Sequence, residues 1–307
     1  MNKPRQVPVA ASGVLQQKIF GLPVDRKVIF SNHKALYKKK VEKRQRKLII
    51  KSTFLKPFVR PDEKILLITT GYSPATLIEK LLVGWLFVYL KRSLLVFTSK
   101  RIIHVPTTPI YRYRQVIAEI PYGSCSSIRT KGRSMLIEYK AKGAAEKFFG
   151  ISGQEIKKIG EVLKKVTLTG GDESPAHRIH LCPQCAARLE DRVYRCARCE
   201  LKFKTGWAAT LLAILFPGGG YFYARQFMLG FLAAVVEIIL MAFIAININD
   251  ILNGFQTGYV AYLLWIAAAV CLGLEKTIAL IHANVLIKEF IPRKRQISFR
   301  RFKKAAA

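Results

Sequence analysis

The chain of 307 residues is long enough for two or three domains. It carries 51 Lys and Arg against 19 Asp and Glu, a formal net charge of +32, although 51% of its residues are hydrophobic. This combination excludes a single domain of uniform composition, because the basic residues are concentrated before residue 205 and after residue 290, on either side of an apolar block. Such segregation is typical of a membrane-anchored protein with its bulk in the cytosol. Residues 1–9 contain no apolar run of signal-peptide length, so we do not predict secretion.

Residues 1–60 form a basic N-terminal arm with 16 basic and two acidic side chains. A charge run of this kind is usually a solvated helix or a tail without fixed structure. Next to a membrane, however, each basic residue can gain about 1 kcal/mol from anionic lipid. We therefore predict an anionic bilayer surface as a partner of this arm. The candidate lipid- or anion-binding residues are Lys38, Lys39, Lys40, Lys43 and Arg44.

Residues 61–168 show the pattern of a β-rich domain that ends in a helix. Ser99 and Lys100 separate two apolar runs in the manner of a hairpin turn. Ser152 and Glu155 have the spacing of a capping box, which predicts a helix from there to about Lys165. The predicted strands lie at 64–70, 93–98, 101–105, 115–121, 134–139 and 146–151.

The hairpin Val96–His104 carries a resemblance to known families. Its Thr-x-x-Arg-hydrophobic pattern, together with the C-terminal helix, resembles bacterial pleckstrin-homology-like (PH-like) and GRAM-type domains. The resemblance implies a β-rich fold closed by one helix and a role in binding protein or lipid.

An apolar run of ten residues, 81–90, interrupts this domain between pairs of charged residues. Its length is half of what a membrane crossing requires. It is either a buried element of the domain or an interfacial helix with Trp85 and Tyr89 at the level of the lipid headgroups. In the second case Lys91 and Arg92 join the candidate lipid-binding residues.

Two Cys-x-x-Cys pairs, ten residues apart, follow a linker at 169–181. The two-residue gap lets both sulfurs of a pair face one metal ion at about 2.3 Å, and two pairs complete a tetrahedron. The cytosol keeps thiols reduced, which favours a metal over disulfides, and a redox pair normally stands alone. We predict a structural Zn²⁺ ribbon at 182–204, with no coordination position left for a substrate. Its ligands are Cys182, Cys185, Cys196 and Cys199.

The cysteine segment is similar to the short zinc ribbons of bacterial membrane proteins. It lacks the glycine that often follows each cysteine pair, and Ala186 and Glu200 stand there instead. Four arginines among the ligands would partly offset the two negative charges of a zinc ion bound by four thiolates. His177 and His180 are alternative ligands, although we interpret them as part of the linker.

Residues 205–290 form an α-helical membrane domain. They contain three apolar stretches, each near the roughly 20 residues that a helix needs to cross the hydrocarbon. Basic residues flank the block on both sides, and the positive-inside rule then requires an even number of crossings. We predict spans at about 227–248 and 257–276, with 206–224 kinked or re-entrant. Three crossings with the tail outside are the alternative.

Pro217, Gly218, Gly219 and Gly220 break the first apolar stretch, because proline removes a helix hydrogen bond and glycine lowers helix preference. The stretch Leu215–Gln226 resembles bacterial membrane segments of the Pro-Gly-x-Gly-x-x-Tyr type and, more loosely, the two-helix TM2 domain. The resemblance implies an anchor or assembly role.

Glu237 lies inside the second apolar stretch, where a carboxylate is costly and usually faces the helix bundle. A hydrogen bond to Tyr221 or Tyr223 is one interpretation, and proton or ion handling is the other. We expect the last helix to leave the membrane near Glu275 and to continue toward the basic cytosolic tail at 291–307.

The sequence does not predict an enzyme, since it contains no G-x-S-x-G, no H-E-x-x-H and no phosphate-binding glycine loop. Two classes of function remain. The first is a membrane-anchored adaptor or scaffold at the bacterial inner membrane, with both termini cytosolic, that binds acidic lipid, a protein partner or itself. The second is a membrane-tethered nucleic-acid-binding protein, because zinc ribbons and a basic surface suit phosphate. We favour the adaptor, because membrane proximity explains the positive charge without a second ligand.

Overall fold

The computed structural model of the chain describes residues 18–74, 91–108, 110–141, 143–166, 175, 177–191, 193–253 and 259–294. The apolar run 81–90 and the tail after residue 294 lie outside the described residues. The chain folds as two compact units. The first unit comprises Met1–Pro74, Arg92–Arg112 and Glu119–Arg178, and the second comprises Ala75–Lys91, Tyr113–Ala118 and Ile179–Ala307.

The first unit is rich in strands, as its apolar runs predict, and ends in one long helix. Its N-terminal elements are β1 (Lys18–Ile19), β2 (Leu22–Pro23), α1 (Arg26–Ile29), α2 (Lys39–Lys51) and a 3₁₀ turn at Thr53–Leu55. The elements that follow are β3 (Ile65–Tyr72), β4 (Arg92–Thr98), β5 (Arg101–Pro106), β6 (Ile117–Pro121, of which only the last three residues belong to this unit), a 3₁₀ turn at Tyr122–Ser124, β7 (Cys125–Lys131), β8 (Ser134–Tyr139), β9 (Ala145–Phe148) and α3 (Gly153–Lys164).

Two sheets build the first unit. Strands β6, β5, β4 and β3 are neighbours in that order, and β7, β8 and β9 form a separate three-stranded sheet. The predicted hairpin is confirmed, because β4 and β5 pair in antiparallel fashion with Val96 opposite Ile103. Strand β4 is buried on both faces, which explains its continuous apolar run. The sequence pattern does not predict β7, whose polar and basic residues are mostly not buried.

The two sheets and α3 share one hydrophobic core. Helix α3 contributes Ile156, Ile159 and Val162 to this core, and Leu163 packs against it. These are the four residues that the helical periodicity places on one face. The predicted C-terminal helix and its buried face are therefore confirmed.

The start of α3 differs from the predicted capping box. Ser152 occupies the N-cap position, but its side chain makes no capping hydrogen bond. The Glu155 carboxylate instead accepts hydrogen bonds from Thr69 Oγ1 at 2.7 Å and from Arg44 Nη2 at 2.9 Å. The capping box predicts that this carboxylate bonds to the first turn of the helix. It bonds instead to residues that are distant in sequence.

Helix α2 packs against the middle of β3, a strand at the edge of its sheet. The Gln45 side chain accepts a hydrogen bond from the Ile68 amide and donates one to the Ile68 carbonyl. At Ile68 it thereby takes the place of a neighbouring strand, while Val24 and Phe149 bridge to β3 at Ile65 and Tyr72. Gln45, Leu48 and Ile49 are buried, so this part of the predicted N-terminal arm is neither solvated on all sides nor without structure.

The second unit combines a small two-stranded ribbon with apolar helices. Its strands β10 (Ile179–Leu181) and β11 (Arg188–Leu189) are antiparallel, with His180 opposite Leu189. Its helices are α4 (Gly206–Leu215), α5 (Gly219–Tyr223), α6 (Phe227–Leu252) and α7 (Tyr259–Ile287). Helix α7 runs without interruption through Glu275, as expected of the last helix.

Two helices of this unit are long and apolar enough to cross a membrane. They are α6, Phe227–Leu252, and the segment Tyr262–Ile287 of α7, each of 26 residues. Only 17% and 11% of their most apolar windows are buried within the protein. Core helices of a soluble protein bury most of such a surface.

The first apolar stretch is kinked, as predicted, at the residues between α4 and α5. Pro217 lies in this break, and Gly219 and Gly220 begin α5. Gly218 has a left-handed backbone with φ of +64°, and a Cβ on it would lie 2.1 Å from the Gly230 carbonyl oxygen. Only glycine fits this approach of the break to α6.

The segment after the last cysteine pairs with the segment that follows α7. The Lys204 amide donates a hydrogen bond to the Ile291 carbonyl at 2.9 Å. Beside it, Phe203 and Pro292 form an antiparallel β-bridge. The two ends of the helical block are therefore joined by a short piece of β-structure, which we call the flank bridge.

Candidate functional site

Four cysteines of the second unit form a candidate metal centre. Their sulfur atoms all lie within 4.8 Å of one another. Cys182 Sγ lies 3.4 Å from Cys199 Sγ, and Cys185 Sγ lies 3.5 Å from Cys196 Sγ. Sulfurs at about 2.3 Å from a zinc ion are separated by about 3.8 Å in a tetrahedron. The donor set and its spacing therefore fit a metal ion of this kind.

The two cysteine pairs have the same backbone shape. The Ala186 amide donates to the Cys182 carbonyl at 2.9 Å, and the Glu200 amide donates to the Cys196 carbonyl at 2.8 Å. Ala186 and Glu200 have φ of +57° and +59°, in the left-handed region that favours glycine. Ala186 and Glu200 therefore adopt the backbone conformation that glycine favours at these positions, and each turn contains one strained residue.

The metal centre is largely closed. Cys182 and Cys196 are buried among apolar side chains. Burial raises the pKa of the Cys185 thiol to about 11, so this thiol needs a neighbouring cation to ionise at neutral pH, and Zn²⁺ would supply it. Within the described residues, the group that could hold a metal contains neither His177 nor His180.

The candidate anion-binding residues of the first unit lie at the start of α2. Positions 39 and 43, and positions 40 and 44, are one helical turn apart, so their charges form two adjacent rows. Arg44 also pairs with Glu155 at 2.9 Å. The exposed basic residues are Lys38, Lys39, Lys40, Lys43 and Arg44.

Lys91 and Arg92, the other candidates, are half-buried. The Arg92 guanidinium lies 5.0 Å from the centre of the Tyr111 ring and 5.9 Å from that of Tyr72. The Lys51 ammonium lies 4.7 Å from the same Tyr111 ring. Cation–π contacts thus join residues that are far apart in sequence. No local sequence pattern indicates that Lys51 belongs to this group of cationic and aromatic side chains.

The Glu237 carboxylate in α6 is buried, but its partners differ from those expected. Its Oε2 atom lies 2.5 Å from Lys276 Nζ, and its Oε1 atom accepts a hydrogen bond from the Gly218 amide at 3.2 Å. The Tyr221 hydroxyl lies instead 3.1 Å from His282 Nδ1. The interpretation that Glu237 bonds to a neighbouring helix therefore holds, but the partner is a lysine on α7 and not Tyr221 or Tyr223.

Comparison with known proteins gives a family match for part of the chain. Residues 59–169 match the family described as Bacterial PH domain. A solved structure of a pleckstrin homology domain from Shewanella amazonensis SB2B is similar, with 16% identity over 38% of this chain and 95% of that chain and a TM-score of 0.25. No curated protein matches the chain. The family match confirms the β-rich PH-like domain predicted from the hairpin and the C-terminal helix.

Proposed function

We propose that the protein is a membrane-anchored adaptor that binds and does not catalyse. Helices α6 and α7 hold it in the bacterial inner membrane, a structural zinc ribbon lies at the membrane surface, and the PH-like domain binds acidic lipid or a protein partner. The observation that carries the proposal is the flank bridge between Lys204 and Ile291, which joins the two ends of a helical block that contains two long, outwardly apolar helices.

Exposed apolar side chains support the membrane anchor. A soluble protein rarely exposes an apolar patch larger than a few hundred Å², whereas lipid tails accept such a surface without cost. Both long helices carry large apolar residues that are about half exposed. They include Phe231, Ile238, Ile239 and Ile246 on α6 and Leu263, Val270, Leu274 and Ile281 on α7.

The flank bridge supports an even number of crossings. A backbone hydrogen bond of 2.9 Å requires Lys204 and Ile291 to be on the same side of the bilayer. Two crossings by α6 and α7 satisfy this requirement if α4 and α5 return to the side on which they start. The basic residues on both flanks favour the cytosolic side. The Pro-Gly break, which resembles an anchor segment, supplies the turn of this re-entrant element.

The four cysteines would hold a zinc ion that stabilises the fold. Four thiolates fill a tetrahedral coordination sphere, so a bound ion would contribute folding energy and not a reactive site. We expect Cys196→Ser to lose bound zinc in the purified protein, as measured by metal analysis. Cys271→Ser, which alters an exposed cysteine of α7, should keep the metal. Equal zinc content in both variants would exclude the ribbon.

The charge of the first unit supports an acidic lipid surface as partner. The exposed basic residues of α2 are close enough to one another to act as one charged surface on a membrane whose potential extends about 8 Å at physiological salt. The match to a bacterial PH domain covers the strands that α2 packs against. Lipid binding through α2 is thus the function that the first unit supports best.

Hydrogen–deuterium exchange of the full-length protein in nanodiscs tests this function. We expect slower exchange in α2 when the nanodisc contains anionic lipid than when its lipids are zwitterionic. The protection should disappear when all five candidate basic residues at the start of α2 are changed to Gln. The control replaces five exposed basic residues elsewhere in the unit: Arg129, Lys131, Lys140, Lys147 and Lys157. Protection that is absent, or lost equally in the control, would refute lipid binding by α2.

Nucleic-acid binding is the second candidate. Stacking of bases requires open aromatic faces, and Tyr37, which lies among the basic residues before α2, is 64% exposed. Tyr111 is less available for stacking, because Lys51 and Arg92 both lie within 5.0 Å of its ring centre. Any strongly basic surface also binds DNA at low salt. Binding to nucleic acid that persists at physiological salt, with a preference for sequence or strand form, would favour this candidate over the adaptor.

A further inference from the structure

A cavity of about 100 Å³ lies in the first unit, between the connection from α1 to α2, helix α2 and the start of α3. One water in the liquid occupies about 30 Å³, so the cavity has room for a small polyatomic ion. Its polar lining includes Asn32, His33, Lys38, Arg44, Glu155 and Lys158.

The lining of this cavity is predominantly cationic. Arg44 pairs with the Glu155 carboxylate at 2.9 Å, which leaves the charges of Lys38 and Lys158 to act on the cavity. A concave surface lined by one sign of charge focuses its field on the interior and attracts the opposite sign. An anion is therefore the ligand that the lining favours.

Lys158 is already oriented toward this region by buried hydrogen bonds. The residue is only 5% exposed, and its Nζ atom donates to the carbonyls of Ile29, at 2.8 Å, and Ser31. An ammonium has three donors, so one N–H is left for a ligand. Burial lowers the pKa of Lys158 to about 8, and an anion beside it would stabilise the charged form.

The start of α3 adds two features that suit a phosphate group. The Ser152 side chain does not cap the helix, and the N-terminus of a helix of 12 residues attracts anions through its free amides. The Glu155 Oε1 atom is buried and has no hydrogen-bond partner in the part of the chain that the structure describes. A singly protonated phosphate carries a hydroxyl that can donate to such an acceptor.

The cavity depends on a segment outside the family match. Helices α1 and α2 precede residues 59–169, the stretch that matches the bacterial PH domain. Val41, Arg44 and Gln45 of α2 form one of its walls. The cavity therefore requires α2 and the segment before it, in addition to the stretch that matches the family.

We propose that this cavity is a stoichiometric binding site for a phosphate or phosphate-monoester group, held by Lys38 and Lys158. The site goes beyond the surface attraction proposed above, which depends on bilayer charge and needs no pocket. The group can come from a soluble phosphate compound or from a lipid headgroup that ends in a phosphate monoester.

Titration of the full-length protein in zwitterionic nanodiscs tests the soluble source. Inorganic phosphate and glycerol 3-phosphate are the probes, followed by calorimetry or ³¹P NMR. A second arm compares nanodiscs that contain phosphatidic acid, a monoester, with nanodiscs that contain phosphatidylglycerol, a diester. Its readout is hydrogen–deuterium exchange at residues 31–45.

Single substitutions separate the pocket from the general charge of α2. Lys38→Gln removes an exposed lysine that lines the cavity, and Lys39→Gln removes its exposed neighbour that does not. Lys38→Gln should weaken binding at least about tenfold, because a charge-assisted hydrogen bond to the anion is lost. Lys158→Gln should do the same, with Lys157→Gln as its exposed control. Thermal unfolding checks that each variant folds, and Lys38→Gln carries the test if Lys158→Gln does not.

Each outcome decides the proposal. Saturable one-to-one binding of either soluble probe, lost in Lys38→Gln and kept in Lys39→Gln, supports the pocket with a soluble ligand. A response to phosphatidic acid but not to phosphatidylglycerol, with the same dependence on Lys38, supports it with a lipid ligand. The proposal is overturned if neither arm shows such a response, or if Lys38→Gln and Lys39→Gln weaken binding equally. The second result would leave the surface attraction of α2 intact.

Discussion

Ala186 and Glu200 show how single residues in the cysteine segment depart from the expected pattern. Both have the left-handed backbone that glycine adopts freely, at φ of +57° and +59°. This conformation costs other L-residues about 1–2 kcal/mol. The hydrogen bonds back to the Cys182 and Cys196 carbonyls fix the two turns, so the local strain persists.

We expect Ala186→Gly to stabilise the zinc-bound ribbon by about 0.5–1 kcal/mol, because relief of the left-handed strain exceeds the entropy that glycine gains in the unfolded chain. Resistance of bound zinc to a competing chelator, together with thermal unfolding, measures the change. Ala187→Gly is the matched control, since residue 187 is not among those with positive φ. Stabilisation in both variants, or in neither, would contradict the explanation.

Glu155 is a second residue whose role depends on contacts distant in sequence. Burial raises its pKa above the ordinary value of 4.5, against the opposing effects of Thr69, Arg44 and Lys158. When the pH rises past the ordinary value, the unfolded chain releases this proton before the folded chain does. The contribution of the Glu155 carboxyl group to folding stability is therefore fully present below its ordinary pKa. This contribution is lost as the pH rises through the higher pKa of the folded state.

The variant Glu155→Gln should accordingly gain stability relative to the natural protein as the pH rises, because glutamine does not titrate. Thermal unfolding at a series of pH values measures the difference. Glu161→Gln is the control on the same helix, since a hydrogen bond from Lys164 lowers the pKa of the exposed Glu161. Its substitution should show the opposite trend. A difference for Glu155→Gln that does not vary with pH would refute this interpretation.

At the level of elements, local patterns predicted those structures that local forces determine. The hairpin of β4 and β5, the buried face of α3, the kink at Pro217 and the four cysteines all follow from periodicity or spacing over a few residues. The capping box at Ser152 failed because Glu155 bonds to residues more than 80 positions away. Strand β7 shows no alternation of apolar and polar residues, because most of its side chains are not buried. Its backbone pairing with β8 makes it a strand.

Helix α2 could not be placed from sequence for a similar reason. Its charge run indicates a solvated segment, while the residue that docks it on β3 is a single glutamine. Gln45 satisfies both the amide and the carbonyl of Ile68. An amide side chain in a basic helix is no signal for edge pairing, so only the fold identifies its role.

We expect Gln45→Ala to lower the free energy of unfolding of the first unit by about 2–3 kcal/mol, because it leaves two buried backbone groups without partners. Thermal and denaturant unfolding of the full-length protein in detergent measures the effect. Lys47→Ala, an exposed position on the same helix, should change it by less than about 0.5 kcal/mol. If both variants lower the free energy of unfolding equally, helix propensity explains the effect and the hydrogen bonds of Gln45 to β3 do not.

At the level of the whole molecule, the flank bridge constrains membrane topology. Labelling of single cysteines with an impermeant reagent should place Lys202→Cys and Lys294→Cys on the cytosolic side, because the bridge holds both flanks together. Asn253→Cys, after the end of α6, should label from the other side. Cys271→Ser provides the background without an exposed cysteine. Labelling of Lys294→Cys from outside would contradict the model with two crossings and favour the one with three.

The flank bridge also has a consequence for the order in which the protein is made. Residues 202–204 leave the ribosome before any of the helical block, whereas their partners at 291–293 follow 87 residues after Lys204. At synthesis rates of 5–20 residues per second, this delay is on the order of 10 s. If α6 and α7 cross a membrane as proposed, they enter the bilayer during that time. The bridge could then close only when α7 is complete and its end lies on the starting side, so its closure would report that insertion has finished correctly.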